Sequence, residues 1–593
     1  MAEPFKNLVD MFEQSVKKYG SSPLFGTKKN GVWHWTSFTE VGKMVDEVRG
    51  GLAALGVKRG DNVAVVANNR LEWAVLAYAC YGLGAALVPM YEAVKPSEWQ
   101  YIVNDCGAVM LVAGTPKAYE GCKKLKEAVP TVQNIIGMDL PDSDPESFGA
   151  LRAKGRESPV KSIDPEPKDT SCLIYTSGTT GNPKGVILSH GNIISNVNAV
   201  QEMLPIGTDD RSLSFLPWAH SFGHTCELHS MLSRGASIAL AEAVDKIIDN
   251  LSEVHPTLLF SVPRIFNRVY DNVNKQIASR PAFVQKMVAA ALSCANKRRR
   301  GETPTFFESL SYPIAKKVVF SKVVARLGGR LKYAFSGGAA LSREVAEFID
   351  NIGITVFEGY GLTETSPIAT ANRPGAHRIG SVGKAIKDVK ITIDKSQTSP
   401  DSKDGEIVIS GPNVMQGYYK LETETKAVFT DDGGFRSGDL GYVDGEGFLY
   451  ITGRLKELYK LANGKYVAPA PLEEKLKLSP FIANCMVYGD NRAFNIVVVA
   501  PDLPNLKVWA EQHGITTSSP EALIQDARVV EHMKSEVDKY AKEFKGFEDI
   551  KKVVIVPEDF TVENGLLTPS LKLKRRVAVQ RYGAQIDAQY TEG

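Results

Sequence analysis

Eleven residues, Tyr175 to Gly185 (YTSGTTGNPKG), combine three glycines, four small hydroxyl side chains, one proline and one lysine. Glycine and proline together oppose a helix or a central strand. Glycine lets backbone N–H groups approach a ligand, hydroxyls donate, and Lys184 supplies charge, which is the chemistry of an anion such as a phosphate. The bland alternative is a surface turn. A Walker loop is excluded, because Pro183 precedes Lys184 and Gly185 follows it. Further chemistry-bearing residues recur downstream: His220 in LPWAHSFGH, Glu358 and Glu364 in EGYGLTET, Asp439 in FRSGDLG, Arg454 in GRLKELYK and Lys572 in TPSLK. Taken singly, Lys184, Glu364 and Asp439 read equally well as solvated surface, and a histidine after a strand is more often a structural donor.

These residues need elements to position them. From Asn62 to Val262, short apolar runs (NVAVVANN, AVMLVAG, SCLIYTSG, SLSFLP, ASIALA, TLLFSV) alternate with helix-length amphipathic stretches. That alternation predicts an α/β fold, with mostly parallel sheets covered by helices. Ligands of such folds sit beyond the carboxyl ends of the strands. TSGTTGNPKG, LPWAHSFGH, YAFSGGAAL and TVFEGYGLTET all follow strand-like runs, so four loops are expected to converge. Beyond about Gly405 the pattern shortens to β-rich hairpins. Past Arg454 the texture changes to a small α+β domain, in which NCMVYGDNRAFNIVVVA is a hairpin. ARVVEHMKSEVDKYAKEF is a helix with Val529, Val530, Met533, Val537 and Tyr540 on one side. The expected division is 1–453 and 454–593.

The chain has 593 residues, 43% hydrophobic content and a net charge of +2, which supports large cores and gives no field for nucleic acid. Seven cysteines lie far apart with no CxxC pair, predicting reduced, buried thiols and a cytoplasmic protein. The opening MAEPFKNLVDMFEQS has no apolar stretch of the secretory kind, and the closing QYTEG has neither a peroxisomal nor a prenylation signal. Trp73 to Tyr91 carries no charge, but Gly82, Gly84 and Pro89 interrupt it, so a buried helix turning into a buried strand is expected rather than a membrane span. Lys297–Lys332 holds ten Lys/Arg against two Asp/Glu with apolar residues between them. It reads as a solvated amphipathic helix or as a patch for peripheral contact with anionic lipid.

YTSGTTGNPKG, EGYGLTET, FRSGDLG and GRLKELYK, in this order, resemble the motifs of acyl-adenylate-forming enzymes. KLANGKYVAPAPLE, VPRIFNRVYDNV and NGLLTPSLKLKRR resemble the long-chain fatty acyl-CoA synthetases within that family. The resemblance implies activation of a long-chain fatty acid by ATP to acyl-AMP with release of pyrophosphate, then transfer to coenzyme A. It places Thr176, Ser177, Gly178, Thr179, Thr180, Gly181 and Lys184 around the ATP phosphates, with Mg²⁺ on Thr179 and Glu364. Thr363 would bond the α-phosphate. Gly338, Ala339, Glu358, Gly359 and Tyr360 would form the adenine slot, and Asp439 with Arg454 would take the ribose. His220 would sit beside the acyl carboxylate and Lys572 would be the catalytic lysine. A hinge near Lys456 would make the small domain mobile and bring the face around Lys460 to the thiol.

Three positions depart from the pattern. His224 stands where some long-chain members carry a tryptophan that gates the acyl tunnel, which puts such a gate in question. Ser437 replaces a common threonine and keeps the hydroxyl. Leu571 replaces a glycine of shorter-chain relatives. Two rival readings remain at this point: loading of a separate acyl carrier protein, and a non-catalytic nucleotide- or lipid-binding relative. Oligomeric state is not written in these residues.

Overall fold

Two large sheets carry the first three-quarters of the chain in a computed structural model that describes residues 4–176, 182–398, 402–516, 519–544, 546–568 and 571–591. One is seven-stranded, in the order Gly417–Tyr418, Lys184–Ser189, Thr170–Thr176, Ala86–Met90, Asn62–Val66, Met110–Ala113 and Asn134–Gly137. From Thr170–Thr176 to Asn134–Gly137 its neighbours run parallel. Such strands are covered on both faces, which is why NVAVV is continuously apolar rather than alternating. The second sheet is nine-stranded, and its centre (Thr355–Gly361, Tyr333–Ser336, Leu258–Ser261, Arg211–Ser214, Ser237–Leu240, Pro23–Lys29) is parallel. The expected α/β class, with a large domain followed by a small one, is what the chain forms.

Thr170–Thr176 and Lys184–Ser189 pair antiparallel, with Thr176 opposite Lys184. The glycine- and hydroxyl-rich loop therefore closes a hairpin, and its residues Ser177, Gly178, Thr179, Thr180 and Gly181 lie outside the described residues. The uncharged Trp73–Tyr91 stretch is the helix Leu71–Leu83 and the strand Ala86–Met90, both buried. Among the described residues no helix is long and apolar enough to cross a membrane. The β-rich part begins earlier than expected: a four-stranded antiparallel sheet runs from Lys390–Asp394 through Gly405–Ser410 and Phe435–Val443 to Leu449–Arg454.

The small domain builds on Ile482–Tyr488, Asn495–Pro501 and Ile550–Ile555. Alternation along the middle strand sends Val497 and Val499 toward helix Ala527–Ala541, and Ile496 and Val498 toward helix Arg575–Thr591. In the first of these helices Val529, Met533, Glu536, Val537 and Ala541 are buried, while Val530 faces out, contrary to the expected stripe.

The basic segment resolves into the end of helix Ala282–Arg299, helix Phe306–Ala315, a π-helical turn Lys316–Phe320 and helix Ser321–Arg326. Phe306 is 86% exposed, Phe307 58% and Leu310 53%.

Candidate active site

The ends of the parallel strands, the four-stranded sheet and the small domain enclose one cleft, lined by Thr176, Lys184, His220, Gly338, Ala339, Glu358, Gly359, Tyr360, Thr363, Glu364, Asp439, Arg454, Lys456 and Lys572. Of the described candidate residues only Lys460 stays outside this lining. It is exposed on the hairpin Tyr459–Lys460/Tyr466–Val467, with its Nζ over the Tyr466 ring.

Strand Phe435–Val443 delivers Asp439, and strand Leu449–Arg454 delivers Arg454 directly opposite it in register. Arg454 Nε donates to Asp439 Oδ1 at 2.5 Å and the Tyr360 hydroxyl donates to Oδ2 at 2.7 Å. A carboxylate has about four acceptor sites, so two partners leave capacity for a pair of hydroxyls. Ser437 keeps the loop tight: its hydroxyl donates to Ile407 O and accepts from Asp439 N. This is the use the retained hydroxyl finds.

Strand Thr355–Gly361 presents Glu358, Gly359 and Tyr360 beside Gly338, whose φ of +82° lies in the region glycine favours. Burial pushes the Glu358 carboxyl up to about 7, although the Leu341 and Gly380 backbone amides act the other way. Beyond the strand, the Thr363 hydroxyl lies 3.4 Å from that of Ser221. Glu364 Oε1 accepts from the Tyr418 hydroxyl at 2.9 Å, and Lys184 Nζ lies 5.0 Å above the same tyrosine ring. Glu364 Oε2 has no partner among the described residues, which leaves a hard oxygen donor. Among the described residues no three His, Cys, Asp or Glu side chains group as a metal site. Mg²⁺ takes one or two protein oxygens and completes its shell with phosphate and water, and Glu364 would be the described residue to hold it.

His220 follows strand Arg211–Ser214. Its Nδ1 accepts from Phe222 N at 3.2 Å, which assigns the proton to Nε2. Burial first, and the Lys572 cation second, push its pKa down to about 4, so the ring is neutral at pH 7. Next comes a π-helix, Phe222–His229. Phe222, Gly223 and Cys226 line the cleft, whereas His224 turns into the core and bonds the Tyr81 hydroxyl through Nε2 at 2.9 Å. His224 therefore gates nothing in this arrangement. Around it, Phe215, Val262, Phe260 and Phe335 supply an apolar wall to the cleft.

Lys572 comes from the small domain, on a loop closed by the bridge Leu567–Leu573. Thr568 N donates to Lys572 O at 2.8 Å, and Lys572 N donates to Thr568 Oγ1 at 3.0 Å. Burial and the Arg454 cation lower the Lys572 pKa, while Asp439, Glu364 and Glu457 pull the other way. Leu571, before it, has φ +60°, which explains why a glycine suits that position in relatives.

Sequence reasoning missed Tyr418, Ser221 and Glu406. Tyr418 sits on a two-residue strand paired with Lys184–Ser189, and Glu406 accepts from Gly438 N at 3.1 Å to shape the Asp439 loop. No local spacing signals any of them.

The family profile described as AMP-binding enzyme matches residues 12–419, and that of the AMP-binding enzyme C-terminal domain matches 457–593. The peroxisomal long chain acyl-CoA synthetase 6 of Arabidopsis thaliana is 32% identical, over 99% of this chain and 86% of its own length. A long-chain-fatty-acid–CoA ligase of Mycobacterium tuberculosis is 31% identical, over 95% of this chain and 93% of its own. In fold, the adenylation domain of a carboxylate reductase from Mycobacterium chelonae superposes with a TM-score of 0.80 at 24% identity, covering 100% of this chain and 92% of that one. With both profiles matched and the relatives aligned nearly end to end, the chain belongs to the AMP-binding enzyme family.

Proposed function

We infer that the protein is a long-chain fatty acid–CoA ligase. It uses ATP and Mg²⁺ to convert a fatty acid to acyl-AMP with release of pyrophosphate, then passes the acyl group to coenzyme A with release of AMP. The observation that carries the reading is the placement of Lys572, from the small domain, in the same cleft as His220, Glu364 and Asp439 from the large one. A carboxylate resists thiol attack because its oxygen is a poor leaving group, and adenylation supplies a good one. The protein's part is then positioning and electrostatic stabilisation.

In this reading Nε2–H of neutral His220 donates to a fatty-acid carboxylate oxygen and aims the other oxygen at the α-phosphate. Lys572 and the Thr363 hydroxyl meet the charge that develops there, and Lys184 faces the departing phosphates. Glu364, with Thr179, would hold Mg²⁺, which neutralises phosphate charge when bound. Thr176 lines the cleft on the phosphate side, and the resemblance assigns Ser177 to Gly181 to the same phosphates. Gly338, Ala339, Glu358, Gly359 and Tyr360 take the adenine, and Asp439 with Arg454 takes the ribose. The small domain turns about Lys456 to withdraw Lys572 and bring the Lys460 face toward the incoming thiol.

The site of action in this proposal is the cytoplasmic face of a membrane. All seven cysteines are unpaired and buried, as suits a reducing compartment. Phe306, Phe307 and Leu310 stand exposed beside Lys316, Lys317 and Lys322, and each cation near an anionic surface contributes about 1 kcal/mol. Vesicle co-sedimentation should rise with anionic lipid and fall with salt; equal pelleting with neutral vesicles at every salt level would refute the contact. For the ligase itself, pyrophosphate release from ATP with palmitate is the test, and no release with any fatty acid would overturn it.

A further inference from the structure

Helix Pro263–Ala278, from the segment VPRIFNRVYDNV, forms one wall of the cleft, and adenylation gives it no task. Its apolar side is buried: Phe266 and Val273 join a core with Val345, Phe348 and Ile349. The opposite stripe places Arg264, Asn267, Arg268 and Asp271 at i, i+3, i+4 and i+7, and all four line the cleft.

Neither arginine has a hydrogen-bond or ion-pair partner among the described residues. The acids that attract Arg264 are already engaged. Asp502 caps helix Leu503–Gln512 of the small domain by accepting from Asn505 N at 3.0 Å, and Asp559 accepts from Asn484 Nδ2 at 2.6 Å and from Phe560 N at 2.7 Å. Asn267 Oδ1 is buried with no partner either. Asp271, the one acid of the stripe, lies toward the far end of the helix from Arg264, next to Lys275, whose Nζ bonds Asn505 of the small domain at 2.8 Å. Lys574 and Arg576 line the same cleft. Arg264 and Arg268, one turn apart, repel each other, and an anion bound between them would relieve that repulsion.

The ligase reading, on which this inference rests, assigns the phosphates of ATP to the far end of the cleft around Lys184. It leaves one polyanionic substrate without a phosphate site. We propose that Arg264 and Arg268 bind the phosphates at the nucleotide end of coenzyme A and so align its pantetheine arm with the cleft. Guanidinium groups suit this task because their planar fork matches two phosphate oxygens at once.

Arg264→Gln and Arg268→Gln should each raise KM for coenzyme A about tenfold, and together about a hundredfold, the scale of one charge-assisted hydrogen bond each. With pantetheine, which lacks the phosphates, the same variants should match the parent protein, and 3′-dephospho-CoA should fall between the two. Arg268→Lys should recover part of the loss, and unchanged melting temperatures exclude misfolding. Equal losses with coenzyme A and pantetheine would mean that the arginines dock the small domain, and the proposal would fall. Weaker product inhibition by pyrophosphate with unchanged KM for coenzyme A would assign the site to pyrophosphate and overturn it as well. Calorimetric titration of coenzyme A into the parent and the double variant separates this from the ligase reading. Weakened binding supports the site even if no turnover occurs, and unchanged binding refutes it even if turnover is normal.

Discussion

The two halves of the cleft are held in different ways. Asp439 and Arg454 sit opposite each other on adjacent strands, Tyr360 closes on the same carboxylate, and Glu364 is fixed by Tyr418. Lys572 depends on one short loop, closed by a single bridge and its bonds to Thr568. Sheet register fixes the first half, to which the proposal assigns the nucleotide. The second half is a cation delivered by the small domain, and among the described residues its backbone bonds go to Thr568 of that same domain. A site built this way can present the charge in one step and remove it in the next.

The strongest test removes the delivered cation. Lys572→Ala should slow pyrophosphate release by roughly two to three orders of magnitude, the scale for one electrostatic stabiliser. Supplied acyl-AMP and coenzyme A should still give acyl-CoA at near-normal rate. Lys456→Pro, which restricts φ at the proposed hinge, should do the reverse. Equal damage to both half-reactions by Lys572→Ala would erase the division between the halves.

Breaking the fixed half should cost nearly as much. Asp439→Ala removes a charged acceptor and leaves Arg454 unpaired, a loss of roughly 2–4 kcal/mol in ATP binding and the first half-reaction. An ATP titration that does not move would contradict the ribose assignment.

The floor behind the fixed half can be probed by acid. Burial holds His190 near a pKa of about 4 and His224 near about 3, below the ordinary 6.5. Between those values the unfolded chain binds more protons, so stability is complete above pH 6.5 and falls as pH drops toward 4. Each histidine contributes up to about 1.4 kcal/mol per pH unit. Urea midpoints at pH 7 and pH 5 should show the fall, and His224→Gln should make it shallower; an unchanged slope would mean that His224 does not stay neutral.

The smallest effect lies on the delivering loop. Leu571→Gly relieves a left-handed residue but adds backbone entropy to the unfolded chain, so the net change should stay within about 1 kcal/mol. A large drop in melting temperature would show that the leucine, 46% exposed, packs more than its surroundings indicate.

Local chemistry was legible in the sequence; distant pairing was not. The Asp439 loop and the Gly338 turn announce themselves through glycines and hydroxyls that follow strands. The parallel sheets announce themselves through uninterrupted apolar runs. Tyr418 reaches Glu364 across 54 positions and Ser221 meets Thr363 across 142, separations that no local pattern records. The sequence put a gate at His224 in question, and the structure turns that ring to Tyr81.

The π-helix Phe222–His229 bears on how the apolar wall of the cleft can evolve. A π-helix holds one residue more between bonded partners than an α-helix does, so the Phe222–His229 segment stores a surplus residue. Deleting one position would let the segment tighten and rotate its side chains, exchanging Gly223 and Cys226 at the wall for neighbours now in the core. Substrate range could then change through a single-codon deletion, with no wall residue replaced by a different amino acid.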